Sequence, residues 1–266
     1  MKYLAMIQAR CGSTRLPNKV LKNLCGKPAL QWMIERVQQS RYLEEVMVVT
    51  SIERENLPIL ALCASMGVRV GVGAEDDVLD RFYQTAKLLQ PQYVVRLTAD
   101  CPCFDAGLLD LALEQLKPET DYCGMLSEMF ADGLDLEIIR FSALKKAWKE
   151  ARSATEREHV TQYIIHHPEL FVQEDFTSPI GDFGSHRWTV DEPEDFEVVS
   201  KIYDHFIKEV GTQAFDFHDI LGYLEENPEI CALNKRYNRN EGLLKSQKNE
   251  RLTEIEEEVW DNGRNR

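Results

Sequence analysis

The sequence has no uninterrupted apolar run of about 18 residues, the length that a membrane-spanning helix requires. It also lacks the hydrophobic stretch of a secretory signal near its start. Basic residues are a minority, because 31 Lys and Arg stand against 45 Asp and Glu and leave a net charge of −14. Since nucleic-acid backbones are bound by broad basic surfaces, the charge excludes nucleic acid as the main partner. We expect a soluble, cytoplasmic protein that binds no membrane.

The seven cysteines include no CxxC pair, and their number is odd. Both features are typical of reduced thiols in a cytosolic protein rather than of a disulfide framework. Cys101 and Cys103 are the only close pair, and no further Cys or His stands at a matched spacing. We therefore expect no structural zinc site.

Asp and Glu are absent from the first 34 residues, although the chain as a whole is acidic. The same stretch holds six basic residues, four of which crowd into one short loop: Arg10, Arg15, Lys19 and Lys22. Gly12 and Ser13 favour a tight turn whose backbone N–H groups face one way and form a nest for anions. Guanidinium and ammonium groups suit phosphate oxygens. The loop therefore predicts a polyphosphate site, with a solvated basic surface loop as the alternative.

Neither standard phosphate-binding motif explains this loop. Gly26 and Lys27 are followed by Pro28, where a Walker-type loop has Ser or Thr. Gly71 and Gly73 lack the third glycine of a Rossmann dinucleotide fingerprint. The sequence therefore excludes both a Walker-type loop and a Rossmann dinucleotide fingerprint as the explanation.

Hydrophobic periodicity alternates between strand and helix over the first 116 residues. We predict strands at 3–7, 45–50, 68–72 and 93–97, and helices at 28–40, 57–66, 77–89 and 106–116. This alternation is typical of βαβ units with right-handed crossovers. We predict an α/β fold with a doubly wound, mostly parallel sheet. The four strands should end in polar residues along one rim, where such sheets bind ligands.

The periodicity after residue 116 is less regular. We predict a strand after a turn at 132–137, a strand at 185–190, and helices at 142–151, 155–166, 193–210 and 216–226. Residues 1–233 are assigned to one domain, in which residues 120–185 form a small inserted arm. Residues 234–266 are a polar C-terminal extension. Its Leu252, Ile255 and Val259 keep helical spacing, so a docked helix and disorder stay open as alternatives.

Two aspartates follow predicted strands where the chain turns. Asp100 comes directly after the strand at 93–97, and Pro102 then redirects the chain and leaves the carboxylate at the rim. Asp191 follows the strand at 185–190. Carboxylate oxygens are ligands that Mg²⁺ prefers, and polyphosphate chemistry usually needs a divalent cation. We predict that the two form a magnesium site. A turn-forming role for Asp100 and a helix N-cap role for Asp191 are the alternatives.

Two charged clusters have less specific patterns. The segment EDDVLDR at 75–81 is typical of an acidic first helical turn, but its Asp80 and Arg81 could instead face a nucleotide. Glu158 and His159 could contact a substrate, and a charged surface helix is the competing interpretation.

Six segments occur together in this chain in a specific order. They are QARCGSTRLPNKVL at 8–21, GKPALQWMIERV at 26–37, GAEDDVLDRFYQTA at 73–86, RLTADCP at 96–102, REHVTQYI at 157–164 and HRWTVDEPEDFEVV at 186–199. This set resembles the cytidylyltransferases that activate sugar acids, the type that makes CMP-Kdo and CMP-sialic acid. It is most similar to the branch of spore coat polysaccharide biosynthesis protein F. The similarity runs from about residue 1 to 230 and implies a nucleotide-diphospho-sugar transferase fold, which is GT-A-like.

The resemblance implies an enzyme that transfers CMP from CTP to a small acidic sugar or related acceptor and releases pyrophosphate, for surface polysaccharide or glycan biosynthesis. It also implies Mg²⁺ as cofactor and a homodimer that uses residues 120–185. The segment ADCP at 99–102 and the pattern of 120–185 depart from the Kdo enzymes, so acceptor identity does not transfer.

Roles are predicted for single residues. Arg10, Ser13, Arg15 and Lys19 match the family's triphosphate loop, and the roles of the other residues, apart from the two Mg²⁺ ligands, are predicted from position and charge. Nucleotide binding falls to Ala9, Arg10, Gly12, Ser13, Arg15, Lys19, Asp80 and Arg81, and catalysis to Arg10, Lys19 and Asp100. Asp100 and Asp191 match the two Mg²⁺ ligands. Acceptor binding is assigned to Glu137, Arg157, His159 and Arg187.

Two other function classes remain open. A sugar-nucleotide-dependent glycosyltransferase of the same sheet architecture would carry a metal-binding Asp-x-Asp, but Thr98-Ala99-Asp100 contains only one aspartate. A nucleotide-sensing subunit would keep the pocket without turnover.

Overall fold

The computed structural model of the protein describes the backbone of residues 1–264 and the side chains of residues 1–253. The strands are β1 (Tyr3–Gln8), β2 (Asn23–Leu24), β3 (Lys27–Pro28), β4 (Glu45–Ser51), β5 (Arg69–Gly73), β6 (Tyr93–Thr98), β7 (Tyr122–Gly124), β8 (Glu137–Arg140) and β9 (Gln173–Asp175). The α-helices are α1 (Ala29–Val37), α2 (Leu57–Met66), α3 (Val78–Leu89), α4 (Ala106–Gln115), α5 (Phe141–Glu150), α6 (Ala154–Glu158), α7 (Gln162–His166), α8 (Pro193–Tyr203), α9 (Phe217–Glu226), α10 (Pro228–Ala232) and α11 (Glu241–Arg264).

A seven-stranded sheet forms the centre of the molecule, in the order β5-β4-β1-β6-β8-β7-β9. Strands β5, β4, β1 and β6 are parallel, β8 runs antiparallel to β6, and β9 is parallel to β7. The α/β prediction with a mostly parallel sheet is therefore confirmed. The strand order reverses around β1, which is the position where doubly wound sheets bind ligands.

Two hydrophobic cores cover the two faces of this sheet. Along β1, Tyr3, Ala5 and Ile7 belong to one core, and Leu4 and Met6 belong to the other. The first core packs against α1, α2, α4 and α8, and the second against α3, α5 and α7. Because both faces are covered, the central strands β1, β4 and β6 are almost entirely apolar, and Arg96 within β6 is the charged exception among their interior positions.

Residues 120–185 are part of the central sheet. They supply β7, β8 and β9, which extend the parallel half beyond β6. The segment that we predicted as a small inserted arm therefore completes the core of the domain. Its role in dimerisation stays a prediction.

The predicted helix at 155–166 is wrong as one unit. It is divided into α6 and α7, and Val160 between them has a φ of 51°. The Thr161 hydroxyl donates to Glu137 Oε1 at 2.6 Å, which draws the chain toward the start of β8. Helical spacing in the sequence continues across the break, so periodicity alone does not reveal it.

The predicted strand at 185–190 is also wrong. The segment makes one isolated bridge between Asp132 and Arg187, and then the Val190 N–H donates to the Asp100 carbonyl at 2.7 Å. Its backbone groups thus bond to two different loops rather than along one strand. The bond to Asp100 brings the following residue, Asp191, beside the end of β6.

Several features near the C-terminus differ from the predictions in detail. The helix predicted at 193–210 consists of α8 and a π-helical segment, Asp204–Val210. The extension contains α11, in which the Leu252 side chain is exposed. The predicted packing of Ile255 and Val259 lies outside the described side chains. No described helix is long and apolar enough to cross a membrane.

A buried ion pair joins the segment before α8 to α8 itself. Arg187 Nε and Nη2 each donate to the Asp195 carboxylate at 2.9 Å, and the Asp195 side chain is fully buried. Asn234 Nδ2 also donates to Asp195, at 2.9 Å. The Asp195 carboxylate further accepts the backbone N–H groups of Asp191 and Glu192. One carboxylate thus fixes the turn that presents Asp191.

Replacing Asp195 with Ala should lower the free energy of unfolding by about 3–5 kcal/mol, because the buried Arg187 would lose the acceptor of its Nε and Nη2 groups and keep only its ion pairs with Asp132 and Asp191. Urea denaturation measures this change. Glu197→Ala is the matched control, because Glu197 is exposed and pairs only with Lys201 one turn away, so its loss should cost less than about 1 kcal/mol. Equal effects of the two variants would contradict the role given to Asp195.

Candidate active site

A cavity of about 440 Å³ opens at the carboxyl ends of β1 and β6. Its walls carry charged and polar side chains from six parts of the chain: Arg10, Arg15 and Lys19 after β1, Arg96 and Asp100 on and after β6, Asp132, Asp135 and Glu137 before and on β8, His159 and Thr161 at the helix break, Asp191 before α8, and Arg239 and Glu241 from the extension. The strand reversal around β1 thus coincides with a cavity that many charged side chains line.

The ends of β4 and β5 support the basic loop from the side instead of lining the cavity as predicted. Asn56 Oδ1 accepts the Cys11 N–H at 2.8 Å, and Asn56 Nδ2 donates to Ser51 Oγ at the end of β4. Glu75, after β5, accepts from Arg10 Nη1 at 3.5 Å. These contacts fix the loop on the neighbouring strands.

Only some of the loop's backbone N–H groups are used inside the loop. Ser13 and Asn18 N–H donate to the Cys11 carbonyl, and Leu16 N–H donates to Ser13 Oγ. The N–H groups of Gly12, Thr14 and Arg15 have no acceptor among the described residues. The nest of N–H groups predicted around Gly12 and Ser13 therefore stays a prediction, and the side chains of Arg10, Arg15 and Lys19 add to the loop's capacity for anions.

Lys19 lies between the two predicted metal ligands. Its Nζ donates to Asp100 Oδ2 at 2.6 Å and also contacts Asp191 Oδ1. Burial lowers the pKa of Lys19, but the two carboxylates outweigh this effect and raise it. Burial raises the pKa of Asp100, and Lys19 reverses this and holds it at about 2. Lys19 and Asp100 are thus both charged near neutral pH, and one ammonium lies between two carboxylate groups.

The arrangement of the two carboxylates fits a magnesium ion. Because Asp100 and Asp191 both contact one Nζ atom, both can reach a single cation. No cluster of three or more His, Cys, Asp or Glu side chains that could hold a metal occurs among residues 1–253. A dedicated protein cage is therefore missing there, but Mg²⁺ typically uses one or two carboxylates and takes its other ligands from phosphates and water.

The alternative N-cap role for Asp191 does not describe its contacts. Asp195, rather than Asp191, accepts the N–H of Glu192 at the start of α8. The Asp191 carboxylate instead binds Lys19 and, at 3.1 Å, Arg15. Asp100 binds Lys19 and also accepts from the Cys101 thiol of its own turn, so its turn-forming role is compatible with a place in the cavity.

The two loop arginines are also paired with acids. Arg15 Nη1 lies 3.0 Å from Glu192 and 3.6 Å from Glu241, and Arg10 pairs with Glu75. Lys22, the fourth cation of the loop, stacks on the Phe196 ring outside the cavity lining. A bound anion would therefore exchange with carboxylate partners of Arg10 and Arg15.

Asp80 and Arg81 are separated from the cavity. Asp80 Oδ1 accepts from Trp148 Nε1 at 2.7 Å and from Gln84, so it faces α5 and not the predicted nucleotide. Arg81 is 2% exposed and runs past Gly73, where an added Cβ would lie 2.6 Å from Arg81 Cγ. Its Nε and Nη1 have no hydrogen-bond partner among the described residues. Burial lowers the pKa of Arg81.

The four predicted acceptor residues divide into two pairs. Glu137 and His159 line the cavity, as predicted. Arg157 does not, because its guanidinium is held by Asp77 and by the Trp148 carbonyl. Arg187 also lies outside the lining, in the buried pair with Asp195. Charge in a sequence motif does not distinguish a ligand contact from an ion pair.

Three charged parts of the cavity lining were not predicted from the sequence. Arg96 lies in the otherwise apolar strand β6 and pairs with Glu137 on β8, and an isolated charge within a buried strand was the signal that could have revealed it. Asp132 and Asp135 belong to the segment at 132–137, which we predicted only as a turn that precedes a strand. Arg239 had no signal, because it lies in the extension, outside every motif.

Comparison with known proteins agrees with this geometry. The profile of the cytidylyltransferase family matches residues 4–216. Protein MJ1063 of Methanocaldococcus jannaschii is 38% identical over 88% of this chain and 95% of its own length. The spore coat polysaccharide biosynthesis protein SpsF of Bacillus subtilis is 32% identical over 86% of this chain and 96% of its own length.

Two further relatives extend the comparison. A 3-deoxy-manno-octulosonate cytidylyltransferase of Bdellovibrio bacteriovorus is 37% identical over 41% of this chain and 44% of its own length. The solved structure of a cytidylyltransferase from Leptospira borgpetersenii is 30% identical, covers 90% of this chain and 98% of its own, and superposes with a TM-score of 0.82. This chain therefore belongs to the cytidylyltransferase family and is a nucleotidyltransferase.

Proposed function

We propose that this enzyme transfers CMP from CTP to a small sugar acid, with Mg²⁺, and releases pyrophosphate. The observation that carries the proposal is the position of Lys19 between Asp100 and Asp191, beside two loop arginines at the strand reversal. A cation position flanked by phosphate-binding groups is what nucleotidyl transfer needs, because the reaction concentrates charge on the leaving pyrophosphate.

Asp100 and Asp191 would hold the magnesium ion, which supplies Lewis-acid polarisation of the reacting phosphate when bound. Arg10, Arg15 and Lys19 would bind the β- and γ-phosphates and neutralise the charge that develops as pyrophosphate leaves. An acceptor oxygen attacks the α-phosphorus in line with that leaving group. The chain's contribution is therefore positioning and charge stabilisation, and no covalent intermediate with a side chain is required.

Arg81 is a candidate for contact with the base. Its buried Nε and Nη1 groups lack partners among the described residues and lie near the Arg10–Glu75 pair, at the side of the basic loop. Buried donors without partners are costly, and a cytosine carbonyl oxygen would satisfy them. Asp80 has no such role, because its carboxylate is already held by Trp148 and Gln84.

The half of the cavity away from the loop suits a polyhydroxylated acid. Glu128, Asp135 and Glu137 offer acceptors for hydroxyl groups, whereas Arg96 and Arg239 offer positive charge. We propose that the reaction takes place in the cytoplasm and serves surface polysaccharide or glycan biosynthesis, in line with the name of the Bacillus relative.

The direct test is pyrophosphate release from CTP and Mg²⁺ against a panel of sugar acids and phosphonates. We expect release with CTP, less with UTP, and only with an acidic acceptor present. Tight CTP binding without release from any acceptor would indicate a nucleotide-sensing subunit. Release of a sugar from a sugar nucleotide would indicate a glycosyltransferase.

Replacing Arg10 with Gln should lower kcat by roughly two to three orders of magnitude if Arg10 stabilises the transition state. Steady-state kinetics with CTP measures the change. Lys22→Gln is the matched control, since it removes a charge from the same loop outside the cavity, and it should leave kcat within about twofold. A rise in the KM for CTP with unchanged kcat would instead assign Arg10 to ground-state binding.

Replacing Lys19 with Met should tighten Mn²⁺ binding to the nucleotide-free protein by about tenfold or more, because the metal no longer competes with an ammonium for two carboxylates. Electron paramagnetic resonance at pH 8 measures the concentration of free Mn²⁺ and thereby the Mn²⁺ affinity of each variant. Adding Asp100→Asn to the same variant should abolish the gain. Unchanged Mn²⁺ affinity in Lys19→Met would show that the ammonium does not occupy the cation position.

We propose further that the enzyme is a homodimer that uses residues 120–185. Light scattering should give about twice the chain mass of 30.7 kDa. A monomer at micromolar concentration would refute the dimer without affecting the proposed reaction.

A further inference from the structure

The C-terminal extension forms one wall of the cavity. After α10 the chain passes Asn234 and returns over the site, and Arg239, Asn240, Glu241, Gly242 and Leu243 line the cavity. We name residues 234–250 the C-terminal strap. All of it lies beyond residues 4–216, the part that the family profile matches. The strap therefore adds to the site a surface that lies outside the segment matched by the family profile.

Specific polar contacts hold the strap in this position. Asn234 Nδ2 donates to the Arg187 carbonyl at 3.0 Å, and Asn240 Nδ2 donates to Glu128 at 2.9 Å. Ser246 Oγ lies 3.1 Å from His159 Nε2 and donates to Glu158 at 3.0 Å. These contacts are spread over both edges of the opening, so the strap crosses it rather than touching it at one point.

The far end of the strap is anchored on α6. Partial burial raises the pKa of Glu250, but hydrogen bonds from Thr155 and Ser153 outweigh this effect and lower it. Glu250 is thus a charged acceptor at the start of α6, where the helix dipole favours an anion. Since α6 ends beside His159, the anchor also fixes the cavity residue that Ser246 contacts.

Arg239 presents donors that the protein does not use. Its Nη1 donates to the Phe130 carbonyl at 2.7 Å, and its Nη2 contacts Asp135. A guanidinium has five N–H groups, so three of them lack a partner among the described residues. The Arg239 side chain is only 13% exposed. Its position is therefore determined before any ligand binds, and its remaining donors border the cavity.

The other cations of the cavity have different positions. Arg10, Arg15 and Lys19 belong to the basic loop, where the triphosphate is proposed to bind. Arg96 is paired with Glu137 within the sheet, and its buried Nε has no partner among the described residues. Burial lowers the pKa of His159, which leaves it neutral near pH 7. In the described part of the chain, Arg96 and Arg239 are thus the cations with unused donors on the acceptor side of the cavity, and Arg239 is the one that the C-terminal strap supplies.

We propose that Arg239 binds the carboxylate of the acceptor, and that the C-terminal strap thereby determines which acceptors this enzyme takes. The inference rests on the proposed function, because it assigns the second substrate of that reaction to the strap. A forked guanidinium matches a planar carboxylate with two parallel hydrogen bonds, which a neutral sugar cannot form. Asp135 and Glu128 beside it would accept hydroxyl groups of the same molecule.

The test uses the full chain saturated with a non-hydrolysable CTP analogue and Mg²⁺. Calorimetric titration with 3-deoxy-manno-octulosonate and with N-acetylneuraminate measures acid binding apart from turnover. Arg239→Gln should weaken binding of the acid that the wild-type protein takes by about tenfold or more, and Arg239→Lys should restore part of it. Arg236→Gln is the matched control, because Arg236 lies on the same strap, is exposed and pairs with Glu194 away from the cavity. It should bind the acid like the wild type.

Affinity for the CTP analogue separates the possible failures. If Arg239→Gln binds both the analogue and the acid normally, the proposal for Arg239 is overturned and the proposed function stands. If the wild-type protein binds the analogue but neither acid, the strap does not select sugar acids, and the proposal is also overturned. If the wild-type protein does not bind the analogue, the nucleotide half of the proposed function fails by itself. Loss of analogue binding in Arg239→Gln alone would make its role structural and would overturn the proposal as well.

Discussion

The contact of one ammonium with two carboxylates is the interaction on which the site depends. Asp100 and Asp191 are 91 residues apart in the chain, and each is brought to Lys19 by a different structural device. Asp100 follows a central strand, whereas Asp191 is positioned by the Val190 bond to the Asp100 carbonyl and by the buried Asp195. Without a cation between them, two carboxylates that both reach one atom would repel each other. Lys19 offsets this repulsion and holds the Asp100 carboxylate ionised.

The same principle extends over the whole cavity. Arg10, Arg15 and Arg96 each have an acidic partner, so the protein without ligand contains few free charges at this edge of the sheet. Binding of a polyanion and its divalent cation is then an exchange of partners, in which arginines leave carboxylates for phosphates and carboxylates leave an ammonium for a metal. Such exchange lowers the net affinity for either ligand alone. It favours binding of both together, because each ligand replaces the partner that the other removes.

The parts of this structure that the sequence reveals are those with a local physical signature. The first four parallel strands have apolar runs because both sheet faces are covered, and the basic loop is conspicuous against an acidic chain. Asp100 and Asp191 are recognisable because each follows a short apolar run and precedes a turn. Arg157, Arg187 and Asp80 were not assigned correctly from the sequence, since their partners Asp77, Asp195 and Trp148 are distant or belong to other elements. The helix break at Val160 is similar, because its cause is the bond from Thr161 to Glu137 on a remote strand.

The residues that the sequence predicts and those that it does not lie on different sides of the cavity, and this difference has a functional consequence. The nucleotide side is built from loops that directly follow strands, so its residues lie in fixed sequence relation to the sheet and form recognisable motifs. The acceptor side is assembled from a helix break, a turn before β8 and the C-terminal strap. These three parts are distant in the sequence and come together only in the folded chain. Cavity-lining side chains of this wall, such as Arg239, can change without disturbing the sheet, because none of its three parts supplies a central strand. Asn234 is different, since it binds the Asp195 carboxylate that fixes the turn presenting Asp191. In this chain the strap lies beyond the residues that the family profile matches, so acceptor choice can change there while the nucleotide side stays the same.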